Sequence, residues 1–276
     1  MRSARSSDNY ASGDSMPPTT IMEINQLPYP EKREIYARLI PNALLDRFNL
    51  DPYLVDKNGN DLISLICPKG SPSAEMGLYH RSEFPDPVLF GHMTDTLNGQ
   101  IHILLYILND PNSARFDVDR MPNGTPTEFG TRCRNIEAET AAMKAGLAPG
   151  QIRSGLRLLS EAIASFEDFL RSMEHELYFV EPLYYHNAVI FERYGMAYQK
   201  GRSLMERIQT GFAPGGDLLE RLDGYTPFRR PGAQHSIRLR SWAIHDGIFN
   251  EPFDNVTMYK QVGKSAGVRT CSDCKW

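Results

Sequence analysis

The chain has no apolar run long enough to cross a bilayer. Its best, IHILLYIL at 101–108, is strand-length against the ~20 residues a spanning helix needs, so no membrane partner is expected. The N-terminal stretch MRSARSSDNYASGDSMPPTT lacks the apolar core of a secretory signal and reads as a disordered leader over 1–20. Cysteine is scarce. Four in 276 residues (Cys67, Cys133, Cys271, Cys274) make no disulfide framework, and a reducing, cytoplasmic setting is expected. An excess of one charge is lacking too: a net −4 gives no electrostatic reason to expect nucleic acid or an anionic membrane surface. Internal repeats are absent.

What the chain does have is pattern. PYPEKREIYARLIPNALLDRF reads as two short helices, with Pro41 ending the first and opening the second. YLVDKNGNDLISLIC and PVLFGHMTDTLNGQIHILLYIL set Asn58-Gly59 and Asn98-Gly99 between apolar or alternating runs, the short-range signal of a β-hairpin. With a further strand over 75–80, residues 53–108 read as an antiparallel meander. Residues 109–135 are rich in turn formers and read as a long connection. EAETAAMKAGL then reads as a helix closed by Gly146.

In PGQIRSGLRLLSEAIASFEDFLRSMEHE, the spacing of Ile152, Leu156, Leu159, Ile163, Phe166, Leu170 and Met173 predicts one face of a long amphipathic helix. A strand (ELYFVE), a helix (YYHNAVIFERY, stopped by Gly195) and a strand (MAYQK) follow. Beyond them SLMERIQTGF and GDLLERLDG read as helices, SIRLRSWAI and NVTMYKQV as strands. This order predicts an α+β fold: a mixed, mostly antiparallel sheet with flanking helices, in a single domain over 21–270 with a flexible tail at 271–276.

The run LAPGQIRSGLRLL…ELYFVEP…NAVIFERYGMAY, about residues 147–200, resembles the acyl-CoA N-acyltransferase (GNAT) superfamily. In that family a Gln/Arg-and-Gly loop opens a long helix, a strand follows, and a helix ends in a Tyr-Glu-Lys-x-Gly-Phe-like signature. The resemblance implies a GNAT-like half, acyl-CoA as cosubstrate, and acyl transfer to a small-molecule acceptor. It also implies that Gly150, Gln151, Arg153, Ser154 and Gly155 hold the CoA pyrophosphate, a task suited to the unpaired amides and partial positive charge of a helix N-terminus. Two features depart from the family pattern, at three positions. Ser154 and Leu156 stand where its loop has glycines, and Phe191 stands where many members carry the tyrosine thought to reprotonate the CoA thiolate.

Glu181 ends a strand immediately before Pro182, where partial burial would raise its pKa toward that of a general base. Tyr184, Asn187, Phe191 and Tyr194 share one helix face, so Tyr184 or Tyr194 is the expected proton donor in place of Phe191. The histidines offer a different chemistry. His92 with Asp95, His186 and His245, converging from separate elements, could hold Fe or Zn in a metal-dependent enzyme. His102 reads as a satisfied core histidine on an apolar strand. A third reading is a non-catalytic small-molecule-binding protein that keeps the fold and, with Phe191, has lost the chemistry.

Overall fold

The computed structural model describes residues 17–128, 132–272 and 274–276; most of the expected leader lies outside the described residues. Three helices precede every strand: α1 (Ile21–Gln26), α2 (Tyr29–Ala37) and α3 (Asn42–Phe48). The last two begin at the prolines that announce them. α1 has no counterpart in the sequence pattern, because its N-terminus is held by a distant residue. The Thr20 hydroxyl accepts from the Glu23 amide, and the Asp95 carboxylate accepts from the amides of Ile21 and Met22 at 2.8 and 2.9 Å.

The strands are β1 (Ile63–Ile66), β2 (Ser73–Leu78), β3 (Leu89–Asp95), β4 (Ile101–Leu108), β5 (Leu177–Val180), β6 (Ala197–Lys200) and β7 (Thr257–Gln261). They form one sheet in the order β1-β2-β3-β4-β5-β7-β6, antiparallel except for β4 and β5. The expected α+β class and mixed, mostly antiparallel sheet are therefore observed. Asn98-Gly99 does turn the β3–β4 hairpin, with Gly99 at φ +74°. Asn58-Gly59 does not join two strands. Its flanks meet only at an isolated Val55–Asp61 bridge, and β1 turns into β2 near Gly70 instead.

Between β4 and β5 lie α4 (Ile136–Lys144) and α5 (Leu159–Ser172). The apolar spacing predicts that α5 starts near Ile152, but seven residues before Leu159 are not helical. Asn109 forms a bridge with Gly155, the Asp110 amide donates to the Ser154 carbonyl, and Arg157 adopts φ +60°, which no right-handed helix admits. Past that loop the periodicity holds, burying Phe166, Phe169 and Leu170.

After β5 come α6 (Tyr185–Arg193), then α7 (Arg202–Gly211), α8 (Asp217–Glu220) and α9 (Ile237–His245). α9 corrects the strand expected at SIRLRSWAI. The Ser236 hydroxyl caps its start by accepting from the Leu239 amide, and every residue from Leu239 to Ile244 is buried. A helix buried on nearly all sides carries no 3.6-residue polar stripe, so the chance alternation Ile-Arg-Leu-Arg read as a strand.

The two crossover helices, α5 and α6, pack on one face of the sheet. β4–α5–β5 and β5–α6–β6 are both crossovers between parallel strands stepping in the same direction, so right-handedness puts α5 and α6 on the same side. Phe166 of α5 meets Tyr178 edge-on at 5.1 Å, and Glu167 pairs with Lys260 of β7 at 2.6 Å. On that face Ala74, Met93, Val180 and Met258 are at most 4% exposed, with half-buried Ile103 between Met93 and Val180. The row on the opposite face, Ser73, Thr94, His102, Phe179, Tyr259 and Ala197, is half-buried throughout. Among the described residues, no helix is long and apolar enough to cross a membrane.

Candidate functional site at the split between β4 and β5

β4 and β5 pair at only three positions, Ile101–Tyr178, His102–Phe179 and Ile103–Val180. The Glu181 amide still donates to the Ile103 carbonyl, after which Pro182 turns the chain away. From Leu104 to Leu108 the β5-side edge of β4 has no strand partner among the described residues, until Gly155 bridges Asn109. A β-bulge in β4 at the His92/Met93 register bends it at the same place. As a result a central strand of the sheet has no fully buried residue from His102 to Leu108. The split is thus bounded at one end by Glu181 and at the other by the loop that leads into α5.

Glu181 and His102 meet where the strands part. The carboxylate is 48% exposed, and its Oε2 lies 4.0 Å from His102 Nε2, short of a hydrogen bond. That nitrogen is buried and has no hydrogen-bond partner among the described residues. Burial pushes the imidazole pKa below its ordinary value, against a weaker upward pull from Glu181. His102 is therefore a neutral, unsatisfied base beside an exposed carboxylate, rather than the satisfied core histidine that the apolar run around it suggests.

In the loop at 150–155 the expected pyrophosphate residues are engaged with the protein itself. Gly150 sits at φ +77° with the Tyr184 ring against it, and Gln151 Oε1 accepts from the Ala148 amide at 2.7 Å. The Ser154 amide donates to Ser113 Oγ at 3.1 Å. Arg153 is buried: Nε donates to Asp86 at 2.9 Å, Nη1 to the Ser113 carbonyl at 2.6 Å, and the guanidinium covers the Phe84 ring at 5.3 Å. Asp86 also takes Arg115. The cation free to meet an anion here is Arg157, exposed at the mouth of α5 and without an ion pair among the described residues. Leu158 gives α5 no side-chain cap, leaving its first amides without a side-chain acceptor from the N-cap. That end already favours negative charge: hydrogen bonds from Ser160 and from its own amide hold Glu161 below the ordinary carboxylate pKa.

Tyr184 and Tyr194 lie apart from the Glu181–His102 pair in their contacts. Tyr194 caps the C-terminus of α6 and is half-buried. Tyr184 stacks on His186 at 5.6 Å and meets His245 edge-on at 5.5 Å, and burial raises its phenol pKa. Phe191 is half-buried against the core.

The four metal-ligand candidates are spread over three environments. Asp95 caps α1, and His92 Nε2 lies 2.9 Å from Ser73 Oγ. His186 Nδ1 lies 2.9 Å from Ser241 Oγ; burial, and then His245, push its pKa down to about 3. His245 Nε2 contacts Glu139 at 3.0 Å, and Glu139 also holds Arg134. Among the described residues no group of three or more His, Cys, Asp or Glu side chains is arranged to hold a metal ion.

The segment expected as a flexible tail is docked. Cys271 and Cys274 are joined as a disulfide and nearly buried, Lys275 pairs with Ser236, and Thr270 donates to the buried Glu192 carboxylate through both its amide and its hydroxyl. No protein-family model, curated protein or solved structure matches the chain.

Proposed function

We propose that this protein transfers an acyl group from an acyl-CoA to a small-molecule acceptor at the β4–β5 split. The observation that carries the reading is the unpaired edge of β4, Leu104–Leu108, running from Glu181 and His102 to the uncapped start of α5. An extended arm bearing amide groups can add to such an edge as a strand would. Its pyrophosphate would then reach the uncapped start of α5, with Arg157 as the counter-charge in place of the buried Arg153. In that pose the thioester lies beside His102 and Glu181. An acceptor gives its proton to this pair and attacks the carbonyl carbon. The C–S bond breaks as the new bond to the acyl group forms, and the CoA thiolate takes up a proton. Neutral His102 accepts that proton, and Glu181 stabilises the imidazolium that results.

A thermal-shift titration with CoA tests the reading. Saturation at about 100 times Kd should add roughly 2.7 kcal/mol of stability. Arg157→Glu should remove the shift while leaving the unliganded melting temperature in place. No stabilisation at millimolar CoA refutes the proposal. A shift without turnover of any acceptor makes the protein a CoA-binding module, the reading that Phe191 favours.

A further inference from the structure

The face of the sheet opposite the helices is the least expected surface of the molecule. An antiparallel sheet with one face in water ordinarily alternates apolar and polar side chains, and β4 does not: IHILLYIL is the continuous apolar run of a strand buried on both faces. Its helix-side residues have their cover in α2 and α5. The other side has none among the described residues. Aligned by strand register, that face presents Phe90 and Ile107 in one row, then Ile66, Glu75, His92 and Leu105, then His102, Phe179 and Tyr259. All are half-buried except Ile66, which is 58% exposed.

We propose that a second copy of this chain covers this face, the two sheets packing back to back about a two-fold axis. Area decides for a second copy. Strands ~4.8 Å apart and same-face residues ~6.8 Å apart make the β1–β5 part of the patch roughly 24 by 20 Å, so two copies bury about 1,000 Å² or more between them. That reaches the lower bound of a specific interface and predicts a dimer that dissociates on dilution. The composition is mixed: Phe90, Leu105, Ile107 and Phe179 flank a middle row that also carries Glu75 and His92, with Ser64, Ser73 and Glu181 toward the rim. Isologous contact sets each patch against itself, with the Glu181 margin left in solvent. The partner also matters to the split. His102 and Glu181 stand at the margin of the patch, on its exposed side, and the second copy supplies the wall that the single chain leaves open there. The dimer itself does not rest on the acyltransfer reading.

Sedimentation velocity on the full chain, from low to several hundred micromolar, tests the proposal. The wild type is expected to shift from one to two chain masses with rising concentration. Ile66→Glu and Phe90→Glu should each weaken dimerisation at least tenfold, while Leu97→Glu, on the fully exposed β3–β4 turn, should leave it unchanged. Ile66 is exposed enough that its substitution spares the fold, and circular dichroism confirms this for each variant. A wild type that stays monomeric throughout the range overturns the proposal. So does a dimer that survives both patch substitutions. A monomer that instead co-sediments with phosphatidylcholine vesicles in an Ile66-dependent way assigns the face to lipid, and likewise overturns it.

Discussion

Replacing Arg153 by methionine separates what this residue does from what its position in the loop suggests. The guanidinium and the Asp86 carboxylate are 9% and 6% exposed, 2.9 Å apart, and Arg153 also satisfies the Ser113 carbonyl. Truncating one partner of a buried pair costs about 3–5 kcal/mol, mainly because the remaining charge is stranded. Here Arg115 still holds Asp86, which argues for the lower end, about 3 kcal/mol. For a chain of this size that is a drop of about 6–12 °C in melting temperature. Arg157→Ala, at an exposed site without an ion pair, should stay within about 0.5 kcal/mol of wild type. The two variants should then part again on titration with CoA, read by calorimetry well below either melting temperature. Arg153→Met keeps the heat of binding and Arg157→Ala loses most of it. An Arg153→Met protein that melts within a degree or two of wild type refutes the account of the buried pair. An Arg153→Met protein that is folded but blind to CoA, with Arg157→Ala unaffected, refutes the placement of the anion.

Acid should weaken the fold through His186. Its folded pKa of about 3 lies below the unfolded 6.5, so its contribution is complete above pH 6.5 and is lost as pH falls toward 3. At pH 5 the loss is about 2 kcal/mol, and His186→Gln should flatten the melting profile between pH 7 and 5; parallel profiles would refute the assignment. Below that window Glu139 adds its own loss. Burial raises its pKa, but hydrogen bonds from His245 and Arg134 outweigh this and hold it under 4.5, so protonation destabilises the fold as pH drops through that lowered value. Gly150→Ala should cost about 2–4 kcal/mol, combining a left-handed backbone with a Cβ only 2.5–2.8 Å from the Tyr184 ring. Adding Tyr184→Ala removes the clash but not the backbone term, so the double variant should cost less than the two single changes added together; strict additivity would show that the contact is not made.

The fold was legible in the sequence where elements carry their own signals. Pro30 and Pro41, Asn98-Gly99, Gly195 and the apolar stripe of α5 mark local conformations that tertiary contacts did not override. Reading failed where the deciding partner is distant. α1 depends on the Asp95 carboxylate some 70 residues on, and the start of α5 depends on Asn109 drawing Gly155 into a bridge. In α9 burial on nearly every side erased the period that identifies a helix. Arg153 and Arg157 look alike in sequence; what separates them is Asp86, which no spacing within the loop reveals.

The split itself left more of a trace than those contacts did. A strand, a connection containing a long helix, and a second strand make a β–α–β unit, whose right-handed crossover favours a parallel neighbour. β5 has four residues and runs into Glu181-Pro182, and a proline has no amide with which to continue a ladder. A four-residue strand stopped by proline cannot cover the eight residues of β4, so part of that edge must stand open. His102, early in β4 and level with β5, then falls at the point of divergence, close to the residue that precedes the proline. The pairing of His102 with Glu181 thus follows from the length of β5 and the position of Pro182; the proline is visible in the sequence, whereas ELYFVE reads there as a longer strand than the four residues that pair.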